Sequence, residues 1–443
     1  MRIQLSDHFD TKRLLRFTLP SMVMMIFTSI YGVVDGLFVS NFAGKEAFTA
    51  VNFIMPFLMI MGTPGFMFGT GGSALVGMLL GQKNREEANR AFSLLVYLAV
   101  AVGLVLGIAA WVLMPVVASA LGASGTLLDN CVIYGRIIML SLPMFMTQMM
   151  FQSFFVTAER PNLGLAVTVI SGVANMVLDA VLVGWLKQGL VGAAWATTVS
   201  QILGGGIPLL YFFPPNTSLL RLGKTAWRSR TVVRACTNGC SELMSNLSMS
   251  LVSMLYNAQL IRYAGEDGVA AYGVLMYVNM IFLAVFIGYS VGSAPVVSYH
   301  FGAKNQQELK NLLKRSAGII LTGAVLMFAA AELLGRPLSQ IYVGYDAGLL
   351  AMTVRGFFIY SFSFLFCGVA IYGSSFFTAL NDGVTSALIS FLRTVVFQVA
   401  AVLLLPLLLG VDGIWLSMVV AELMAMATTV FFLIRKRSKY HYL

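Results

Sequence analysis

The stretch Gly81-Gln82-Lys83-Asn84-Arg85-Glu86-Glu87 returns 221 residues later as Gly302-Ala303-Lys304-Asn305-Gln306-Gln307-Glu308. Gly, Lys, Asn and Glu keep one register, and each copy lies between two long apolar runs. The spacing holds outward in both directions. Ala43-Gly44 returns as Ala264-Gly265 and Ala50 as Ala271, while Phe155, Thr157 and Ala158 return as Phe376, Thr378 and Ala379. Gly189 and Gly192 match Gly410 and Gly413. One offset kept over so much chain predicts an internal duplication, with two halves of the same topology.

The flanking runs say what is duplicated. The 443 residues are 58% hydrophobic and only 10% charged, with 28 Lys and Arg against 18 Asp and Glu. A soluble chain carries about 25% charged residues, so this one cannot cover a water-facing surface of its size. A span across about 30 Å of hydrocarbon takes about 20 apolar residues. Apolar runs at 14–40, 48–80, 91–120, 131–157, 162–185, 190–213, 232–263, 270–301, 312–334, 353–378, 384–408 and 411–434 predict twelve spans. The runs are continuous rather than alternating, which excludes transmembrane strands. The expected fold is all-α: a polytopic membrane protein of twelve transmembrane helices in two six-helix bundles related by a pseudo-twofold axis. The expected division is an N-terminal lobe at 1–213, a cytoplasmic linker at 214–231 and a C-terminal lobe at 232–443. Two parallel repeats around a central cavity suit a transporter that rocks its halves.

Basic residues set the orientation, because cytoplasmic loops are enriched in Lys and Arg. Arg2, Lys12, Arg13 and Arg16 precede the first span, Lys83, Arg85 and Arg90 follow the second, and Arg160 follows the fourth. Arg221, Lys224, Arg228, Arg230 and Arg234 fall in or beside the linker. Lys304, Lys310, Lys314 and Arg315 follow the eighth span, and Arg435, Lys436, Arg437 and Lys439 close the chain. These 21 of 28 basic residues lie on one side, so both termini are expected in the cytoplasm. The net charge of +10 is then a topology signal and gives no reason to expect a nucleic-acid partner. The expected surroundings are the lipid bilayer of a bacterial inner membrane, with the protein as a monomer.

Most acids fall in loops, where solvated side chains are expected; Glu159, Glu308 and Asp382 are among them. Asp35, Asp179, Glu242 and Glu422 lie inside apolar runs, where an ionisable residue is costly and marks a functional candidate. Glu332 sits near a span end, from which it is expected to snorkel, and His300 is expected at the interface. Tyr31 and Asp35 share a helical face, as do Asn175 and Asp179. Thr197 adds a hydroxyl from the sixth span. Two carboxylates with an amide, a hydroxyl and a phenol suit a hard monovalent cation such as Na⁺, on Asp35, Asn175, Asp179 and Thr197, or a shared proton.

The repeat supplies a control. At the 221-residue offset, Tyr31 faces Val252, Asp35 Tyr256, Asn175 Val396, Asp179 Ala400 and Thr197 Met418. The scaffold builds its second copy without this oxygen set, so the reason for the set is functional. In the second half, Glu422 and Arg393 are expected to form an intramembrane pair. Glu242 is a candidate for a cationic substrate, for a second cation, or for hydrogen bonding to its Ser and Asn neighbours.

These residues resemble the multidrug and toxic compound extrusion (MATE) family, most closely its bacterial DinF/MepA-like branch. The resemblance spans the chain and is most specific at Pro20, Tyr31, Asp35, Asn175, Asp179 and Thr197, which match that family's amino-terminal cation site. It implies a V-shaped cavity and a secondary antiporter exporting organic cations, driven by inward Na⁺ or H⁺ and with no cofactor. It also implies that Pro20 lets the first span bend, and a proline inside a helix removes one hydrogen bond and favours a kink. A flippase for a lipid-linked precursor, on the same superfamily scaffold, is the alternative. An enzyme is not expected: no His-Glu-x-x-His pattern, nucleotide fingerprint or paired-cysteine metal motif occurs.

Overall fold

The computed structural model describes residues 3–443, so Arg2 lies outside the described residues. Among these, every regular element is helical. In chain order they are α1 (Thr11–Ala43), α2 (Lys45–Gly81), α3 (Arg85–Ala120), α4 (Gly125–Met139 continued by Leu142–Thr157), α5 (Pro161–Trp185) and α6 (Gly189–Phe212). A single continuous stretch, Ser229–Gly302, follows, then α9 (Gln306–Val343), α10 (Ala347–Ala379), α11 (Gly383–Leu409) and α12 (Val411–Tyr440).

The 74-residue stretch would be about 111 Å long as one straight helix, several times the hydrocarbon thickness. It breaks at Gly265, where φ is 66° and ψ −155°. That backbone lies in a region nearly closed to side chains with a Cβ, so a single glycine turns the chain. The arms on either side, 229–264 and 266–302, are α7 and α8. With α4 taken as one bent span, twelve spans result among the described residues, in agreement with the sequence. The bend in α4 is 60° and falls just before Pro143, whose missing N–H and ring break the helical ladder.

The two halves meet along a reciprocal seam. A Cβ on Gly81 would stand 1.9 Å from the Tyr299 carbonyl, and a Cβ on Gly302 would stand 2.0 Å from the Met78 carbonyl. Gly81 and Gly302 are repeat mates, as are Met78 and Tyr299, so the pseudo-twofold axis passes between these two contacts. Further along the seam, Gly71 lies against Ala235, Gly292 against Thr18 and Gly288 against Met22. The deepest of these, Gly288, stands 14 residues from Gly302, or about 21 Å. The close approaches between lobes therefore gather at the end that carries the basic loops. On the outside, Val105, Ile108, Val112 and Val116 of α3 form an exposed apolar stripe, as a lipid-facing surface requires.

Several loop acids expected to be solvated are not. The segment before α1 crosses the basic end with Leu5 and Phe9 fully buried. Its Leu5 N–H donates to Glu159 of the first lobe at 2.7 Å. Its Phe9 N–H donates to Glu308 Oε1 at 3.0 Å, while His8 Nδ1 lies 2.7 Å from Glu308 Oε2. Asp382 is likewise buried and accepts from Thr385, Lys436 and Tyr440. Burial pushes its pKa up, but the hydroxyls of Tyr440 and Thr385, the Thr385 N–H and the Lys436 ammonium together hold the carboxyl below the usual carboxylate range. His300 is buried rather than interfacial, at 3% exposure, because the N-terminal segment covers it. Glu332 does not snorkel; the Ser361 hydroxyl donates to it across the α9–α10 contact.

The segment after α6 is stitched along α3. Arg85 donates to the carbonyls of Ser218 and Leu219, both at 2.9 Å. Asn89 accepts the Arg221 N–H and Ser93 the Gly223 N–H, each at 3.0 Å. Arg228 ends this run in an ion pair with Glu87.

Candidate functional site

Asp35 and Asp179 each stand where regular α-helix gives way. The α-helical part of α1 ends at Phe38, and a π-helical turn, Val39–Ala43, follows. In α5 the change falls on the carboxylate itself, since its π-helix runs Asp179–Trp185. The two π segments pack against each other. Such widened turns re-aim side chains and recur at functional sites. Gly172 lets α1 approach α5, because a Cβ there would stand 2.5 Å from the Phe27 ring and 2.9 Å from that of Tyr31.

This packing brings the predicted first-lobe set together. The Asp35 carboxylate faces the side chains of Asp179 and Asn175, and Tyr31 lies within reach of Asp35. Asp179 is fully buried and Asn175 is 1% exposed. Thr197 on α6 faces Tyr134, and Tyr134 in turn faces both carboxylates. Asp35 Oδ1, Asn175 Oδ1, both carboxylate oxygens of Asp179 and Thr197 Oγ1 are buried without a hydrogen-bond partner among the described residues. Leaving one such oxygen unpaired costs about 1–3 kcal/mol. Orphaned oxygens from four side chains in one place form a donor set that a proton or a hard cation would satisfy.

Tyr134 escaped the sequence reading. It lies on α4 at 1% exposure, and a tyrosine in an apolar span carries no charge to single it out. Pro20 lies in α1 between Thr18 and Met22, which touch Gly292 and Gly288 of α8. The proline thus sits in the seam between lobes, about 22 Å along the helix from Asp35.

In the second lobe the position equivalent to Asp35 is closed over. Tyr256, the repeat mate of Asp35, stacks on Tyr272 with ring centroids 5.5 Å apart and accepts from Ser417 at 3.2 Å. Arg393 and Glu422 form the expected pair, with contacts of 2.9–3.1 Å. Glu242 stays apart from the first-lobe set; it lies on α7, half-buried, within electrostatic reach of Arg393.

A family model decides whose site this resembles: MatE matches residues 20–181 and again 243–404. The chain belongs to the MatE family. The doubled match coincides with the duplication and takes in Asp35, Asn175 and Asp179 in the first copy and Arg393 in the second. The multidrug export protein MepA of Staphylococcus haemolyticus is 23% identical over 440 residues, covering 97% of this chain and 94% of its own. A MATE transporter crystallised in complex with MaL6 superposes with a TM-score of 0.93 at 19% identity over 98% of both chains. A MOP-superfamily transporter from Pyrococcus furiosus gives a TM-score of 0.90 at 20% identity, covering 98% of this chain and 97% of its own. This MATE protein is therefore a multi-pass membrane transporter and not an enzyme.

Proposed function

We propose that this MATE protein is a secondary antiporter that exports organic cations, driven by inward H⁺ or Na⁺ through Asp35 and Asp179. Support for the cargo comes from relatives named as multidrug exporters. Support for the coupling site comes from one observation: the orphaned oxygens of Asp35, Asn175, Asp179 and Thr197 converge on one buried place. Two buried carboxylates facing one another repel across that place, and an entering cation or proton relieves the repulsion.

Asp35 and Asp179 take the charge, while Asn175, Thr197, Tyr134 and Tyr31 supply neutral oxygens and orientation. Neutralising Asp35 removes its repulsion with Asp179 where the end of α1 packs against α5. Because the other end of α1 grips α8 on either side of Pro20, a change at Asp35 reaches the seam between lobes through a single helix. Each elementary charge moving down 100 mV contributes about 2.3 kcal/mol, which biases a two-state carrier about fifty-fold. The termini and the linker lie on the cytoplasmic side of the cell membrane in this reading, and the protein acts as a monomer.

The test is efflux from proteoliposomes with an imposed Na⁺ or pH gradient. Wild type extrudes tetraphenylphosphonium or ethidium under one of the two gradients, and Asp35→Asn and Asp179→Asn abolish the gradient dependence. Full coupled transport in both variants would overturn the assignment. Binding of a pyrophosphate lipid, with no response to organic cations, would favour the flippase instead.

A further inference from the structure

From the carbonyl of Thr197 a line of hydrogen bonds leads away from the coupling site. Ser200, three residues on along α6, donates its hydroxyl to that carbonyl at 3.0 Å. Ser171 of α5 donates to the Ser200 carbonyl at 2.7 Å, and the Gln148 amide of α4 donates to the Ser171 hydroxyl at 3.4 Å. Ser200, Ser171 and Gln148 are buried, at 5%, 1% and 7% exposure. A serine has one hydroxyl proton, and Ser171 gives its own to Ser200. Ser171 can therefore only accept from Gln148, which turns the amide nitrogen toward it and leaves the amide oxygen over. That oxygen is buried without a hydrogen-bond partner among the described residues.

The helices leave room for this amide. A Cβ on Gly204 of α6 would stand 2.4–2.8 Å from its end atoms, so a glycine lies where Gln148 reaches α6. At the 221-residue offset, Gln148 is matched by Val369, Ser171 by Leu392, Ser200 by Ala421 and Gly204 by Ala425. The second lobe fills these positions with hydrocarbon alone, so the scaffold has no need of the polar line. The line also has a direction. Ser171 lies about 6 Å nearer the end with the basic loops than Asn175 does, and Ser200 about 4.5 Å nearer than Thr197. Gln152, one turn beyond Gln148 on α4, is buried as well. Conduction needs sites that hold an ion weakly enough to let it leave, and two carboxylates hold it tightly. Neutral oxygens one turn away supply the weaker site.

We infer that Gln148 and Ser171 form a neutral second station for the coupling cation, reached from Asp35 and Asp179 on the way to the cytoplasmic side. Its ligand is a hard monovalent cation, Na⁺ or hydronium, met by the Gln148 amide oxygen and the remaining lone pair of Ser171. The inference rests on the antiport reading above and deepens it by naming the way out of the coupling site.

The test is tetraphenylphosphonium transport in proteoliposomes, measured in two modes. Gln148→Met keeps an unbranched side chain without the amide, and Ser171→Ala removes the hydroxyl. Under an ion gradient each variant is expected to lower the maximal rate about tenfold, as loss of one ligand at ion release implies. The external ion concentration for half-maximal rate stays at the wild-type value, because Asp35 and Asp179 are intact. In counterflow, where labelled cargo exchanges for unlabelled with no ion gradient, both variants are expected to match wild type. A merely structural residue would slow both modes alike. A wild-type maximum in either folded variant, or equal losses in the two modes, overturns the inference; should one variant fail to fold, the other decides. Asp35→Asn and Asp179→Asn run alongside. Full coupling in both sinks the antiport reading, whereas coupling lost there with wild-type rates in Gln148→Met sinks only this inference.

Discussion

Glu87 and Glu308 stand 221 residues apart, and each holds the segment that leads into the other lobe's first helix. Glu308 of α9 binds His8 and the Phe9 N–H just before α1, and Glu87 of α3 pairs with Arg228 just before α7. Each acid sits at the third residue of its helix, with its own N–H donating to Asn84 or Asn305. Two crossed clasps thus tie the lobes together at the basic end. Replacing both acids by Gln should loosen that end, because hydrogen bonds to charged groups contribute about 1.5–3 kcal/mol each. In a background without native cysteines, a cysteine placed at Ser298, which lies against Gly77 across the seam, should then react with a water-soluble maleimide about tenfold faster. An unchanged rate would show that the seam holds without the clasps.

The neutral oxygens of the coupling site should tune affinity without carrying charge. Asn175→Ala and Thr197→Ala are each expected to raise the concentration of coupling ion needed for half-maximal efflux by about three- to tenfold, the worth of about one hydrogen-bond-like contact. Tyr134→Phe should act in the same direction. Measuring initial efflux rates against external Na⁺ or H⁺ separates this from the total loss expected of the aspartates.

Close packing at the seam makes a sharper mechanical prediction. Gly71→Ala would push a methyl group to within 1.9 Å of the Ala235 carbonyl, whereas Gly206 has nothing within 4 Å of such a methyl. Overpacking of this kind costs about 1–3 kcal/mol. The Gly71 variant should lose thermal stability or transport, and Gly206→Ala should match wild type in both assays.

Asp382 carries a pH dependence whose sign follows from its partners. Its carboxyl is more acidic in the fold than in the unfolded chain, whose carboxyl titrates near pH 4. The stabilisation is therefore present above about pH 4 and is lost as the pH falls further, through the depressed native value. Asp382→Asn should lower Tm at neutral pH, and its difference from wild type should shrink as the pH drops below about 4. A constant difference down to pH 2 would contradict the assignment.

The amino-acid sequence carried the architecture well because the bilayer leaves few alternatives. A run of 20 apolar residues has one fold in lipid, and the repeated Gly-x-Lys-Asn motif fixed where the second half begins. Asp35, Asn175, Asp179 and Thr197 were legible because charge and amide groups are rare inside the spans and absent from their repeat mates. Glu308 and Asp382 were misread for the opposite reason. An acid in a loop looks solvated until the chain segment that covers it is placed, and the Leu5–Asp10 segment and the C-terminal tail come from far away in sequence. Tyr134 stayed hidden because tyrosine suits an apolar helix for many reasons.

The stitched segment 214–228 has a consequence for where the protein can be divided. Its backbone is hydrogen-bonded to Arg85, Asn89 and Ser93 along α3, so it travels with the first lobe, and the chain passes from it into α7 at Arg228, whose carbonyl caps the first turn of that helix. Two separately synthesised pieces, 1–228 and 229–443, would each keep every span and every stitch intact. Co-expressed, they are the pair suited to reassemble into a working carrier, whereas a break ahead of residue 214 would leave the second piece trailing a strap that belongs to the first.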